Sequence, residues 1–207
     1  MKLYTYPGAP NPRRVHLYLA EKGLEVPCET VDIMTRANRQ PEFLEKVNAL
    51  GGLPVLELDD GTHIAESVAI CRYFEVLHPE PALFGKTAEE QGRIEMWSRR
   101  IELGLMRPVG MVWVHGSPLT RSVVKQQIPE AAEQNRSLVR EFHRFLDREL
   151  GGREFIAGSE FTIADILALT TIDFAAKLVE LPVDPALGHV ASWHARLSER
   201  PSVQANP

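Results

Sequence analysis

Cysteine is scarce in this chain, which has only Cys28 and Cys71 among 207 residues. The two cysteines do not form a C-x-x-C pair, so the sequence argues against a disulfide scaffold, a zinc ribbon and a dithiol oxidoreductase. Seven histidines are scattered along the chain without the spacing of metal ligands, and we therefore expect no metal site. If the protein carries out redox chemistry, we expect the reacting thiol to come from a bound molecule.

Long apolar runs and blocks of like charge are also missing. No apolar stretch is long enough to span a bilayer, and Met1-Lys2 leads into a strand-like segment rather than a signal peptide. We therefore expect a cytoplasmic protein with no membrane partner. The 23 basic and 28 acidic residues are interspersed and leave a net charge of −5, which does not suggest a nucleic-acid partner.

The first part of the chain combines strand and helix patterns. Strands are expected at residues 2–5 and 29–33, and helices at 12–22 and 41–47, followed by a hairpin and another helix. This order of elements predicts an α/β domain with a mixed sheet that helices cover on both faces.

A proline-rich segment, His78-Pro79-Glu80-Pro81, ends this pattern, and strand signals then nearly disappear. We therefore expect a first domain at residues 1–79, a linker at 80–86 and an all-helical domain at 87–207. The helical domain is expected to contain four long helices, the first of them kinked near Pro108 and Gly110, at residues 87–115, 130–150, 162–180 and 188–199.

The segment from Leu53 to Ser67 is the most informative part of the sequence. Pro54 has no amide hydrogen, so it can open a strand but cannot pair inside a central ladder. Asp60-Gly61 between two apolar runs predicts a tight hairpin. Ser67 then stands at a helix start, where its hydroxyl and the free amides can bind an anion or simply cap the helix.

A second helix start is marked by Thr162 and Asp165. A threonine followed three residues later by a carboxylate, directly before an apolar run, is typical of a capping box. We expect this pair to fix the helix and its packing rather than to contact a ligand.

Five features together resemble the cytosolic glutathione transferases: the order of elements, Pro41-Glu42-Phe43-Leu44, Leu53-Pro54-Val55, Glu66-Ser67, and the run Phe155-Ile156-Ala157-Gly158-Ser159-Glu160-Phe161-Thr162-Ile163-Ala164-Asp165. The resemblance covers essentially the whole chain. It implies α/β plus all-α architecture, with a thioredoxin-like N-terminal domain built on a mixed four-stranded sheet and an all-helical C-terminal domain. It also implies a cis peptide bond before Pro54, a homodimer, and glutathione as a cosubstrate without any further cofactor.

The resemblance also suggests how glutathione is held. The backbone of Val55, with Leu53 and Pro54 before it, would pair with the cysteinyl part of glutathione. Glu66 would bind the ammonium of the γ-glutamyl end, and Ser67 its carboxylate. In the alternative interpretation, Ser67 only caps the helix, and Glu66 is only an acidic residue that the helix dipole favours in the first turn.

The glycyl end of glutathione has weaker candidates. By resemblance, Arg39 or Gln40, directly before Pro41, would contact the glycine carboxylate, although both could equally lie in a solvated loop. Many relatives have a lysine where this chain has Gly52. Because this expected cation is missing, we expect Arg39 to contribute more to binding of the glycine carboxylate.

Activation of the thiol depends on the loop after the first strand. Ala9 stands where serine-type relatives have their hydroxyl, so the serine mechanism is disfavoured. Asn11 is our first candidate for the donor, since Pro10-Asn11 resembles the loop of a bacterial subgroup related to the fungal prion-forming members. Asn11 is also expected to cap a helix that starts at Pro12. Tyr6 is the second candidate, and Arg13 could add positive potential.

The remaining expectations concern the electrophile and the reaction. Met106 and Trp113 are candidates for an electrophile pocket, although a Met and aromatic stripe more often belongs to a core. The resemblance implies conjugation of glutathione to a small hydrophobic electrophile. Glutathione-dependent reduction of disulfides or peroxides is an alternative, and so is a non-catalytic, transferase-like binding protein.

Overall fold

A computed structural model describes all residues from Met1 to Pro207. The chain divides into two compact units, Met1–Leu83 together with Pro201–Pro207, and Phe84–Arg200. No helix in the chain is both long enough and apolar enough to cross a membrane.

The first unit is built on a four-stranded mixed sheet in the order β2-β1-β3-β4. Strand β1 is parallel to β2 and antiparallel to β3, and β3 is antiparallel to β4. The arrangement confirms the predicted thioredoxin-like fold. Its elements are β1 (Lys2–Thr5), α1 (Pro10–Glu21), β2 (Cys28–Thr30), a 3₁₀ turn (Ala37–Arg39), α2 (Pro41–Lys46), β3 (Val55–Glu57), β4 (His63–Ala65) and α3 (Ser67–Leu77).

Both faces of this sheet are covered. Tyr4 of β1 and Val55 of β3 share one face, where they pack in a buried cluster with Phe43 of α2. Since side chains alternate along a strand, Leu3 and Leu56 point to the other face, where both are fully buried. Helices α1 and α3 pack against each other, and α3 also packs on β3. The starts of these two helices carry Asn11, Glu66 and Ser67 of the predicted site.

The second unit has only helices among its regular elements. Its elements are α4 (Ala88–Ile101), a π-helical turn (Glu102–Met106), α5 (Arg107–Gly116), a 3₁₀ turn (Pro118–Thr120), α6 (Pro129–Leu150), α7 (Ile163–Leu178) and α8 (Gly188–Ser198). The helix expected at 87–115 is thus interrupted by the π-helical turn, in which Gly104 lies so close to the ring of Phe142 that a Cβ would be 2.6 Å from it. The interruption therefore begins before Pro108, which lies in the first turn of α5.

The capping role of Asp165 is confirmed. Its buried carboxylate accepts hydrogen bonds from the backbone N–H of Thr162 and of Ile156, each at 3.0 Å, and from the indole N–H of Trp193 at 3.0 Å. Burial raises the pKa of this carboxyl group, and the hydrogen bonds oppose that shift. Asp165 therefore joins the start of α7 to the preceding loop and to α8.

Two details differ from the sequence-based expectations. Helix α1 starts at Pro10 with Ala9 as its N-cap, so Asn11 lies inside the first turn and is not the cap. A short helix α9 (Pro201–Gln204) and the residues after it pack with the first unit, although the sequence grouped them with the helical domain. The reason is a set of polar contacts with α1, where Arg13 Nε donates to the carbonyl oxygen of Asn206 at 2.7 Å.

Candidate active site

The loop between β1 and α1 is a tight turn. The Ala9 N–H donates to the carbonyl oxygen of Tyr6 at 3.4 Å, and Gly8 at the centre of the turn has a φ of +78°, which favours glycine. The turn brings the start of α1 to the end of β1.

The first turn of α1 offers few hydrogen-bond donors. Pro10 and Pro12 have no backbone N–H, and the N–H of Arg13 is bonded to the carbonyl oxygen of Ala9 at 3.1 Å. Asn11 is therefore the only residue of this turn whose backbone N–H is available, and its exposed side chain adds an amide group. Since position 9 is an alanine and has no hydroxyl, Asn11 is the residue of this helix end that has both a backbone N–H and a side-chain amide to offer.

A buried arginine connects Asn11 with the start of α3. Arg14, only 1% exposed, donates from Nη1 to Asn11 Oδ1 at 2.9 Å and to Ser67 Oγ at 2.7 Å. Sequence reasoning missed Arg14. The available signal was a charged residue at helical spacing from Leu17 and Tyr18, on the buried face of α1.

The start of α3 has an unusual backbone conformation. Glu66, the N-cap of α3, has a φ of +67°, a backbone conformation that residues other than glycine adopt only with strain. The N–H of Ile70 is bonded to the carbonyl oxygen of Glu66 at 3.0 Å, so the N–H groups of the turn before it have no partner within the helix. Glu66 itself is exposed, whereas the hydroxyl of Ser67 faces inward to Arg14.

The sheet pairing corrects the role expected for Val55. Val55 lies in β3, opposite Tyr4 of β1 on one side and Ala65 of β4 on the other. Because both sides of β3 are occupied by strands, the backbone of Val55 cannot pair with a peptide-like ligand. Leu53 lies just outside the strand, before a cis peptide bond to Pro54, and its backbone groups form no hydrogen bond within the protein.

Two asparagines hold the loop that leads to Leu53. Asn38 Nδ2 donates to the carbonyl oxygen of Gly51 at 2.7 Å, and Asn48 Nδ2 donates to that of Gly52 at 3.0 Å. Arg39 joins the same loop, since its Nη1 donates to the carbonyl oxygen of Leu50 at 2.8 Å.

Gln40 precedes α2 as its N-cap, and its exposed side chain makes no capping hydrogen bond. Arg39, exposed and bonded to the loop before Leu53, is therefore the better positioned of the two residues expected at the glycyl end.

Other predicted residues lie apart from these contacts. Tyr6 is half-buried and forms no side-chain hydrogen bond, so it is not joined to Asn11 or Arg14. Arg13 is buried, and its Nε donates to the carbonyl oxygen of Asn206 at 2.7 Å. Met106 and Trp113 belong to the second unit, where the Trp113 ring packs edge-on against Phe174 at 5.3 Å.

Neither cysteine of the chain is prepared for thiolate chemistry. Desolvation raises the pKa of the Cys28 thiol, which donates to the carbonyl oxygen of Val26 at 3.2 Å. Complete burial raises the pKa of Cys71 much further. A reacting thiolate would therefore have to come from a bound molecule, as the sequence suggests.

Comparison with known proteins gives consistent matches along the chain. The family model for the N-terminal domain of glutathione S-transferases matches residues 3–82, and the model for their C-terminal domain matches residues 111–201. Glutathione S-transferase 2 of Saccharomyces cerevisiae is 38% identical over 207 residues, covering 99% of this chain and 88% of that protein.

Solved structures agree with these matches. The structure of Gtt2 from Saccharomyces cerevisiae has a TM-score of 0.94 and 37% identity, with 100% of both chains covered. A glutathione S-transferase domain-containing protein from Marinobacter aquaeolei VT8 has a TM-score of 0.93 and 36% identity, covering 98% of this chain and 100% of that chain.

Proposed function

The chain belongs to the glutathione S-transferase family, and we propose that it conjugates the thiolate of glutathione to small hydrophobic electrophiles. The observation that carries this proposal is the pair of helix starts at Asn11 and Ser67, which Arg14 joins within one unit. One helix start offers donors to a thiolate, and the other offers amides to a carboxylate.

Glutathione would bind along three parts of the first unit. The γ-glutamyl carboxylate would accept hydrogen bonds from the first-turn amides of α3 and from the Ser67 hydroxyl, and its ammonium would contact Glu66. The cysteinyl backbone would pair with the free N–H and C=O of Leu53. The glycine carboxylate would lie near Arg39, with Gln40 as a further contact.

Asn11 would stabilise the thiolate. Lowering the thiol pKa from ~8.5 to ~6.5 requires roughly 2.7 kcal/mol of preferential thiolate binding. Each hydrogen bond from Asn11, one from its backbone N–H and one from its side-chain amide, would contribute about 0.5–1.5 kcal/mol. The start of α1 would add ~0.3–1 kcal/mol, so these three contributions together reach the required magnitude.

The remaining parts of the proposal concern the electrophile and the assembly. Met106 and Trp113 would line the pocket for the electrophile. We also propose a homodimer, since Val76 on α3 is 77% exposed and Leu103 in the second unit is 64% exposed. Burial of such large apolar side chains would favour association. Light scattering should give twice the mass of one chain, and the mass of a single chain would contradict the dimer.

Parallel assays test the proposed reaction. Wild type, Asn11→Ala and Tyr6→Phe would each be given chlorodinitrobenzene, an organic hydroperoxide and a disulfide, with glutathione. We expect wild type to turn over chlorodinitrobenzene, Asn11→Ala to be slower, and Tyr6→Phe to match wild type. Turnover of the peroxide or disulfide alone would favour a reductase. Binding to immobilised glutathione without any turnover would favour a binding protein.

A further inference from the structure

We propose that Arg14 is a positioning residue, which turns the side-chain amide of Asn11 toward the glutathione sulfur and links it to the γ-glutamyl site at Ser67. The proposal rests on the donor role given to Asn11 under Proposed function. It concerns a residue that would not itself contact glutathione, because Arg14 is only 1% exposed.

The geometry of Arg14 determines which way the Asn11 amide faces. A guanidinium group has only donors, so it must face the oxygen of the amide and not the nitrogen. Nη1 carries two hydrogens, and its two contacts, with Asn11 Oδ1 at 2.9 Å and Ser67 Oγ at 2.7 Å, account for both. The Nδ2 group of Asn11 is thereby directed away from Arg14, on the exposed side of the helix start.

The same contacts couple two helices. Asn11 lies in the first turn of α1, and Ser67 is the first residue of α3. Ser67 Oγ accepts a hydrogen bond from Arg14, which leaves its own O–H free to donate to a carboxylate. A planar, buried guanidinium can hold both oxygens at fixed positions, whereas the ammonium of a lysine on a flexible stem cannot reproduce this geometry.

Two other roles for Arg14 have to be distinguished from positioning. Its charge could stabilise the thiolate directly, independently of Asn11, or its side chain could serve packing alone. A direct charge effect would persist without Asn11, and Arg14→Lys would largely preserve it. A packing role would change stability without changing the ionisation of the bound thiol.

A double-mutant cycle separates these roles. The pKa of the glutathione thiol bound to the intact protein would be followed through the ultraviolet absorbance of the thiolate, in wild type, Asn11→Ala, Arg14→Lys and the double variant. We expect each single variant to raise the thiol pKa by about one unit, the value of one hydrogen bond. We expect the double variant to equal Asn11→Ala alone. Arg136→Lys is the matched control, since Arg136 lies in the second unit and its Nη1 donates to the carbonyl oxygen of Val179 at 3.0 Å, and it should leave the thiol pKa unchanged.

Different outcomes contradict different claims. An unchanged thiol pKa in Asn11→Ala would overturn the proposed donor, and with it the positioning of that donor. A shift in Asn11→Ala that Arg14→Lys does not reproduce would overturn the role of Arg14 alone. Additive shifts in the double variant would also overturn it, because Arg14 would then act on the thiol independently of Asn11.

A measurement without glutathione keeps the proposal testable if Arg14→Lys does not fold. The side-chain NH₂ resonances of Asn11 would be followed by NMR in wild type and Ser67→Ala. We expect an ordered amide in wild type and increased mobility in Ser67→Ala, because this substitution removes one of the two contacts that hold Nη1 in place. If the Asn11 amide is as mobile in wild type as in Ser67→Ala, this result contradicts the proposal, whether or not glutathione binds.

Discussion

Arg14 of α1 and Ser67 of α3 are joined by a buried hydrogen bond of 2.7 Å between the guanidinium Nη1 and the hydroxyl oxygen. The bond places a cation behind the start of each helix, on the side away from solvent. The two helix starts that would hold the thiol and the γ-glutamyl carboxylate are therefore connected through a single side chain.

Hydrogen exchange should distinguish Leu53 from Val55 as the residue that pairs with glutathione. The backbone of Val55 lies between β1 and β4, so its amide should exchange slowly with or without glutathione. The backbone of Leu53 has no hydrogen-bond partner within the protein. Its amide should therefore exchange fast in the free protein and slowly when glutathione is bound. Residue-resolved NMR exchange makes the measurement. A Leu53 amide that glutathione does not slow would contradict the proposed pairing.

Glu66→Gly should stabilise the fold and weaken glutathione binding. Glycine removes the strain of a φ of +67°, for a gain of about 1 kcal/mol, and remains an acceptable N-cap. Loss of the carboxylate should weaken glutathione affinity roughly tenfold, the equivalent of ~1.4 kcal/mol. Chemical denaturation and isothermal titration measure the two effects.

Glu180→Gly is the matched control for this prediction. Glu180 also has a positive φ, +55°, and belongs to the second unit. The same substitution there should stabilise the protein without a change in glutathione affinity. If Glu66→Gly binds glutathione as tightly as wild type, Glu66 does not hold the ammonium.

His143 should make the protein less stable in mild acid. Burial lowers the pKa of His143 to about 4, and its Nε2 has no hydrogen-bond partner. Between the ordinary histidine pKa of ~6.5 and this lower value, the unfolded chain binds a proton that the folded protein does not. The contribution of His143 to the free energy of unfolding is therefore fully present above pH ~6.5. It is lost as the pH falls, and the loss reaches about 2 kcal/mol at pH ~5.

Urea unfolding at pH 7 and pH 5 measures this loss, and His143→Leu should largely remove it. The exposed His189→Leu is the control and should keep the loss of wild type. An equal loss in wild type and His143→Leu would show that other groups cause it.

Local patterns predicted those parts of the fold that depend on neighbouring residues. Thr162 and Asp165 are three residues apart, so the sequence alone indicates their contact, and the structure confirms it. Ser67 is correctly expected at a helix start because the apolar spacing after it is helical. The same local reasoning misplaced the start of α1, because Asn11 is a favourable cap residue, whereas the chain uses Ala9.

Long-range pairing could not be predicted in this way. The contact of Arg14 with Ser67 joins residues 53 positions apart, and no local signal specifies it. Val55 is misassigned for the same reason, since only the strand order shows that β3 is paired on both sides. What the sequence did indicate for Arg14 was a charge on the buried face of a helix, which is unfavourable unless the charge has partners.

The most direct test of the account is the ionisation of glutathione bound to wild-type protein, followed by thiolate absorbance as a function of pH. We expect the bound thiol to have a pKa about two units below that of the free thiol, and we expect its pKa in Asn11→Ala to lie closer to the free value. A bound thiol that ionises at the same pH as free glutathione in the wild type would contradict it.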